Sequence, residues 1–92
     1  MQKTTITVIN EVGLHARPAS EFVKLASHYQ AKITVRNLTT ESQETDAKSI
    51  LGVLTLGVEK GHQIELIGDG VDEKEAIQAL SELIESDFAG MF

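Results

Sequence analysis

The residue types best suited to chemistry stand together in one short run, Gly13-Leu14-His15-Ala16-Arg17-Pro18-Ala19. An unperturbed imidazole is substantially neutral at pH 7, so it can attack a phosphorus centre without a separate base. After His15, the residues Ala19, Phe22, Val23, Ala26 and Tyr29 recur at the three-and-four spacing of an amphipathic helix, which makes His15 the expected N-cap. Pro18 suits the first turn, where backbone N–H groups have no intrahelical acceptor and a residue lacking one forfeits nothing. The N–H groups of Ala16 and Arg17 fall in that turn. Together with the positive end of the helix dipole and the Arg17 guanidinium they would form a small anion site beside the imidazole, and phosphate is the anion it best suits. The chemistry predicted is phosphoryl transfer through His15. The plain alternative is a solvated histidine that only caps a helix.

Other candidates carry less. His28 falls near the end of the same helix, where a cation suits the dipole, and His62 sits beside a turn glycine, so both read as solvated. Three scattered histidines and no cysteine offer no metal-ligand spacing. Asp69, Asp72, Glu73 and Glu75 lack the register of a calcium loop, and Gly68-Asp69-Gly70 lacks the third glycine of a nucleotide fingerprint. Ser49 stands at an expected helix start, where a serine commonly serves as a cap.

Alternation predicts a first strand over 4–9, with Ile6 and Val8 on one face, and a turn over 10–13. A second strand is expected over 31–36, then a hairpin with a long polar turn and a weak third strand over 43–47. Residues 48–56 read K-S-I-L-G-V-L-T-L, a short helix with more aliphatics than one buried stripe can hide. Some of Ile50, Leu51, Val53, Leu54 and Leu56 should therefore be exposed, and exposed aliphatics beside polar residues mark a contact surface. A fourth strand is expected over 63–68. In the last helix Asp72 is the expected cap, Glu75 would complete a capping box, and Ala76, Ile77, Leu80, Leu83 and Ile84 form the apolar stripe. The tail from Phe88 to Phe92 is apolar enough to pack back or fray. The order is β-α-β-β-α-β-α, three amphipathic helices able to cover one face of a four-stranded sheet.

A chain of 92 residues that is 41% hydrophobic suits one domain with a core that needs neither metal nor disulfide. The absence of cysteine excludes thiolate and disulfide chemistry. No apolar run is long enough to span a bilayer and no leader is evident, so a cytoplasmic location is expected and the sequon Asn37-Leu38-Thr39 is read as fortuitous. A net charge of -6 argues against nucleic acid and favours basic partner surfaces.

Two stretches resemble the HPr family, the histidine-containing phosphocarriers of the bacterial phosphoenolpyruvate-dependent phosphotransferase system. G-L-H-A-R-P-A (13–19) resembles its active-site motif, and A-K-S-I-L-G-V-L-T-L-G-V (47–58) its second signature, in a likeness that runs through the D-E-K-E-A-I-Q-A-L helix (72–80). The resemblance implies an α+β open-faced β-sandwich, a four-stranded antiparallel sheet with three helices on one side, in agreement with the pattern. It implies that His15 takes a phosphoryl group on Nδ1 from enzyme I and passes it to a histidine of an enzyme IIA-type acceptor for sugar uptake, with Arg17 assisting. Ile50, Leu51 and Leu54 match the patch that docks those partners. Ser49 matches a regulatory serine, the target of an HPr kinase/phosphorylase in many members. A monomer without cofactor or metal is expected, a carrier rather than an enzyme turning over a small molecule. Val35-Arg36-Asn37, in a segment longer than in sugar-branch members, is similar to the nitrogen-branch paralogue NPr, whereas Lys48-Ser49-Ile50-Leu51-Gly52 is similar to the sugar branch, and both pathways stay open. So does a regulatory module that uses Ser49 or the apolar patch without His15. An acyl-carrier-like protein would need an Asp-Ser-Leu-type attachment site, and the chain offers only Lys48-Ser49-Ile50 and Glu85-Ser86-Asp87.

Overall fold

Ile6 and Val8, which alternation places on one side of the first strand, are both buried, and the sheet grows from that pattern. The computed structural model describes residues 1–88. Its elements are β1 (Gln2–Thr7), α1 (Ala16–Ala26), β2 (Lys32–Asn37), β3 (Thr45–Asp46), α2 (Ile50–Thr55), β4 (Gln63–Asp69) and α3 (Glu73–Glu85). The strand order is β1-β4-β2-β3, antiparallel throughout, with Ile6 opposite Ile64 and Val35 opposite Leu66. Ile6, Ile64, Leu66, Ile33 and Val35 share the covered face, where α3 packs on β1 and β4, α2 on β3, and α1 on both other helices. This is the open-faced sandwich expected.

The differences from the predicted elements are local. β1 starts and ends two residues earlier than its alternation suggests, because beyond Thr7 the chain pairs only through Val8, whose N–H donates to His62 O at 2.9 Å. α1 ends at Ala26, so Tyr29 and His28 lie in the turn that follows it, with Tyr29 packed against the core. β3 shrinks to two residues. In α3, Ala76, Ile77, Leu80 and Ile84 are buried and Leu83 is half-buried, as the stripe predicts. Phe88 is buried; the rest of the tail lies outside the described residues.

The capping box at α3 is not formed. Asp72 occupies the N-cap position, but its carboxylate makes no cap bond. It accepts instead from the N–H groups of Gln30 and Ala31, each at 2.8 Å, tying the start of α3 to the entry of β2. Those N–H groups precede the strand ladder, and a charged acceptor serves them better than a neutral one would. Glu73, not Glu75, reaches back, accepting from Gly70 N–H at 3.1 Å and pairing with the Met1 amino group at 2.7 Å. The bond from Gln30 chiefly holds the Asp72 carboxyl below the ordinary carboxylate range, with Ala31 N–H and the charge of Lys48 acting in the same sense against desolvation. A carboxyl whose pKa is depressed by folding contributes stability above its unfolded pKa and loses it as pH falls through the folded value. Asp72→Asn should therefore lower the Tm at pH 7, and the gap to the parent should close as pH falls below about 4, which thermal melts across pH will read.

The histidine expected to be solvated at position 62 is built in. Its Nδ1 lies 3.1 Å from Asn37 Nδ2 and 3.2 Å from Glu59 N, two donors. Asn37, fully buried, also donates to Leu56 O and accepts from the N–H groups of Thr39 and Thr40, which fixes its amide orientation. Nδ1 of His62 is therefore an acceptor, and the ring carries its proton on Nε2. The burial of Asn37 also accounts for the fortuitous sequon, since that side chain is inaccessible.

Candidate functional site

The segment ahead of His15 is locked by backbone bonds. Gly61 N–H donates to Val8 O at 2.7 Å, Leu14 N–H to Val58 O at 2.9 Å, and Asn10 Nδ2 to Gly13 O at 2.7 Å. Gly13 is buried at φ +66°, and a Cβ there would run into the Val58 carbonyl, so the glycine of the motif serves close backbone approach as well as the turn. Leu14 is fully buried, and Pro18 and Ala19 anchor the first turn of α1 in the core. His15 is thus held between two fixed points.

His15 occupies the N-cap position with extended backbone, φ -127° and ψ 161°, as expected. Its imidazole, however, makes no cap bond, and among the described residues it has no hydrogen-bond partner. Half-buried and unengaged, the ring retains its nucleophilic nitrogens. Ala16 has φ +49°, the left-handed region that costs an alanine on the order of 1 kcal/mol, so the chain kinks immediately after the histidine rather than entering the helix smoothly. Ala16 and Arg17 are exposed, and the first turn contains no carboxylate, in contrast to α3 with Glu73 and Glu75. The dipole and the guanidinium at the start of α1 therefore favour an incoming anion, with no carboxylate in the turn itself. The nearest described cleft, about 320 Å³ and lined by Asn10, Glu11, Val12, Pro18 and Asp87, does not include His15.

α1 packs on α2, whose start is shaped by Asp46: its Oδ1 accepts from Lys48 N–H at 2.9 Å and its carbonyl from Ser49 N–H at 3.0 Å. Ser49 is half-buried, and its Oγ accepts from Gly52 N–H at 3.1 Å, so the capping expected of it is present. The crowded aliphatics divide as predicted. Val53 and Leu56 are buried, whereas Ile50 is 40%, Leu51 73% and Leu54 37% exposed. The sequence reading missed Ile9 and Val12, exposed at 47% and 54% in the loop that leads to His15. The signal was there: two aliphatics flanking Asn10-Glu11 in a turn, where no strand face could hide both.

A family model described as the PTS HPr component phosphorylation site matches residues 2–86. The chain belongs to the PTS HPr family. Among HPr relatives it is 41% identical to a phosphocarrier protein HPr of Neisseria meningitidis over 88 residues, covering 96% of each chain. It is 42% identical over 80 residues to a multiphosphoryl transfer protein of Haemophilus influenzae, which is 87% of this chain but 16% of that protein's length. The crystal structure of HPr-C-His from Thermoanaerobacter tengcongensis superposes with a TM-score of 0.92 at 43% identity, covering all of both chains. The HPr fold thus brings His15 and Arg17 onto one helix turn and sets the exposed aliphatics on the helix packed beside it.

Proposed function

We propose that this chain is a phosphocarrier of the phosphotransferase system in which His15 takes the phosphoryl group of phosphorylated enzyme I and hands it to a histidine of an enzyme IIA-type acceptor. The reading is carried by the His15 ring, unengaged at the start of a helix whose first turn offers Arg17 and no carboxylate. Nδ1 of His15 attacks phosphorus as the P–N bond to the donor histidine breaks, and the reverse sequence of bonds delivers the group onward. Such transfers depend on in-line positioning and charge stabilisation, which exposed N–H groups, the helix dipole and a guanidinium supply while the partner closes the site. One chain of residues 1–92 forms one carrier domain and acts as a monomer in the cytoplasm.

Sugar uptake is the favoured branch. The likeness to the nitrogen-branch paralogue at Val35-Arg36-Asn37 includes Asn37, a buried residue that binds its own chain, so that tract speaks to packing rather than to partner choice. Parallel transfer assays with sugar-branch and nitrogen-branch acceptors decide between them. The carrier reading itself is tested by incubation with enzyme I and phosphoenolpyruvate: one phosphoryl group should add, labile to acid and stable to alkali, and a phosphoserine product under these conditions would overturn it. Ser49 remains a candidate for regulation by an HPr kinase/phosphorylase. A phosphate on it would place charge beside Ile50 and Leu51 and weaken docking.

Arg17→Ala should slow transfer about tenfold or more, the worth of one charge-assisted hydrogen bond in the transition state. Stability should move by less than about 0.5 kcal/mol, since the residue is exposed on the first turn. Single-turnover transfer alongside a thermal melt separates the two, and an unfolded variant would make Arg17 structural.

A further inference from the structure

The turn that leads to His15 holds an unsatisfied group. Asn10 is 6% exposed, and its Nδ2 donates to Gly13 O at 2.7 Å, which fixes the orientation of the amide. Its Oδ1 is therefore an acceptor, buried and without a hydrogen-bond partner, a costly state that the great majority of such atoms in folded proteins avoid. Asn10 lines a cleft of about 320 Å³ together with Glu11, Val12, Pro18 and Asp87. The cleft flanks the nucleophile in sequence, with Val12 three residues before His15 and Pro18 three after it. Its polar wall offers acceptors. Glu11 is exposed and meets Lys60 Nζ at 2.9 Å, Asp87 is exposed, and among the described residues no cationic side chain lines the cleft. Val12 and Pro18 supply the apolar wall.

We infer that this cleft takes an arginine side chain of the protein that exchanges the phosphoryl group with His15. The inference rests on the carrier reading above. Acceptors on three separate residues suit a guanidinium, which presents five N–H donors in a fixed planar fork, better than an ammonium with three. Arginine also lays its methylene stem along apolar surface while its head stays among polar groups, which matches Val12 and Pro18 beside Glu11 and Asp87. The volume is at the low end for a small-molecule pocket and accepts one long side chain. Glu11 and Val12, both exposed on the turn, can rotate aside as the head reaches Oδ1. The net charge of -6 draws a basic partner surface. Occupation also serves the chemistry. Glu11 and Asp87 oppose an incoming phosphoryl group, and a guanidinium seated beside them offsets that charge as the partner docks.

Asn10 also holds the turn through Gly13 O, so the test falls on the carboxylates. Glu11→Gln with Asp87→Asn keeps shape and removes two charges, and asparagine tolerates the left-handed backbone at position 87, φ 54°. In transfer from phosphorylated enzyme I this double variant should raise KM at least tenfold with kcat nearly unchanged, and it should weaken the dependence of KM on salt. Glu75→Gln with Glu82→Gln removes the same charge from exposed positions on α3 and should do neither. Were the two cleft carboxylates only a repulsive wall, neutralising them would leave KM unchanged or lower it. Titrating the isotope-labelled protein with N-acetyl-arginine amide reads the cleft without any partner. The amides of 10–13 and Asp87 should shift with saturation in the millimolar range, less with N-acetyl-lysine amide, and not at all in the double variant. This arm gives its result even if His15 takes no phosphoryl group, so failure of the carrier reading and failure of the cleft are told apart. Amides that stay in place as the arginine amide is added, or a KM that holds or falls in Glu11→Gln with Asp87→Asn, would each overturn the inference.

Discussion

His15→Ala should abolish phosphorylation by enzyme I and phosphoenolpyruvate while leaving the fold and its thermal transition nearly unchanged. The two halves of that expectation have separate causes. The imidazole makes no cap bond, so its removal deprives α1 of no capping hydrogen bond, and a half-buried side chain leaves little cavity. The chemistry, in contrast, has no substitute nearby. Nδ1 of His62 already faces Asn37 Nδ2 and Glu59 N–H, and His28 is exposed in the turn beyond the opposite end of α1. The loss should therefore be complete rather than partial, as when the reacting atom itself is removed. Acid-labile phosphate persisting in His15→Ala, read by intact mass before and after acid treatment, would move the acceptor to another histidine and overturn the assignment.

Much of this was legible in the sequence because the informative residues are local. The strand alternation at Ile6 and Val8, the stripe of α3, the serine cap of α2 and the surplus of aliphatics in 50–56 each depend on spacing within one element, and each appears in the structure as read. The misreadings are long-range. Asp72 looked like an ordinary cap because the alternative acceptor role, binding Gln30 and Ala31 some forty residues away, leaves no local trace. His62 looked solvated because its side-chain partner, Asn37, comes within reach only once β2 and β4 pair, joining the local donor Glu59 N–H. The left-handed Ala16 was equally hidden: alanine carries no preference for φ > 0, and the kink arises from fixing Leu14 and Pro18 in the core on either side of it. Position and residue type revealed where the nucleophile stands, and tertiary packing determined how it is presented.

The second large effect should come from α2. Leu51→Glu should weaken transfer from enzyme I at least tenfold through affinity, with the monomer's stability nearly constant. Leu51 is the most exposed aliphatic of the helix at 73%, so a carboxylate there remains in water in the free protein. In a complex that covers the patch, the same group must be desolvated without a partner, at a cost on the order of 2 kcal/mol or more, which is more than tenfold in the dissociation constant. Leu54, at 37% exposed, should show the same loss of transfer with a somewhat larger effect on stability, because more of its side chain already lies against the protein. Val53, fully buried on the same helix, supplies the opposite control. Val53→Ala should destabilise the fold by on the order of 2 kcal/mol through lost packing, while the folded fraction transfers normally. Steady-state transfer at several carrier concentrations separates these cases, since a docking defect raises KM and a folding defect lowers the active fraction. If Leu51→Glu and Leu54→Glu instead melt the monomer by several kcal/mol and transfer by the remaining folded protein is normal, the two leucines serve the core and the docking face lies elsewhere, with Ile9 and Val12 the next surface to test.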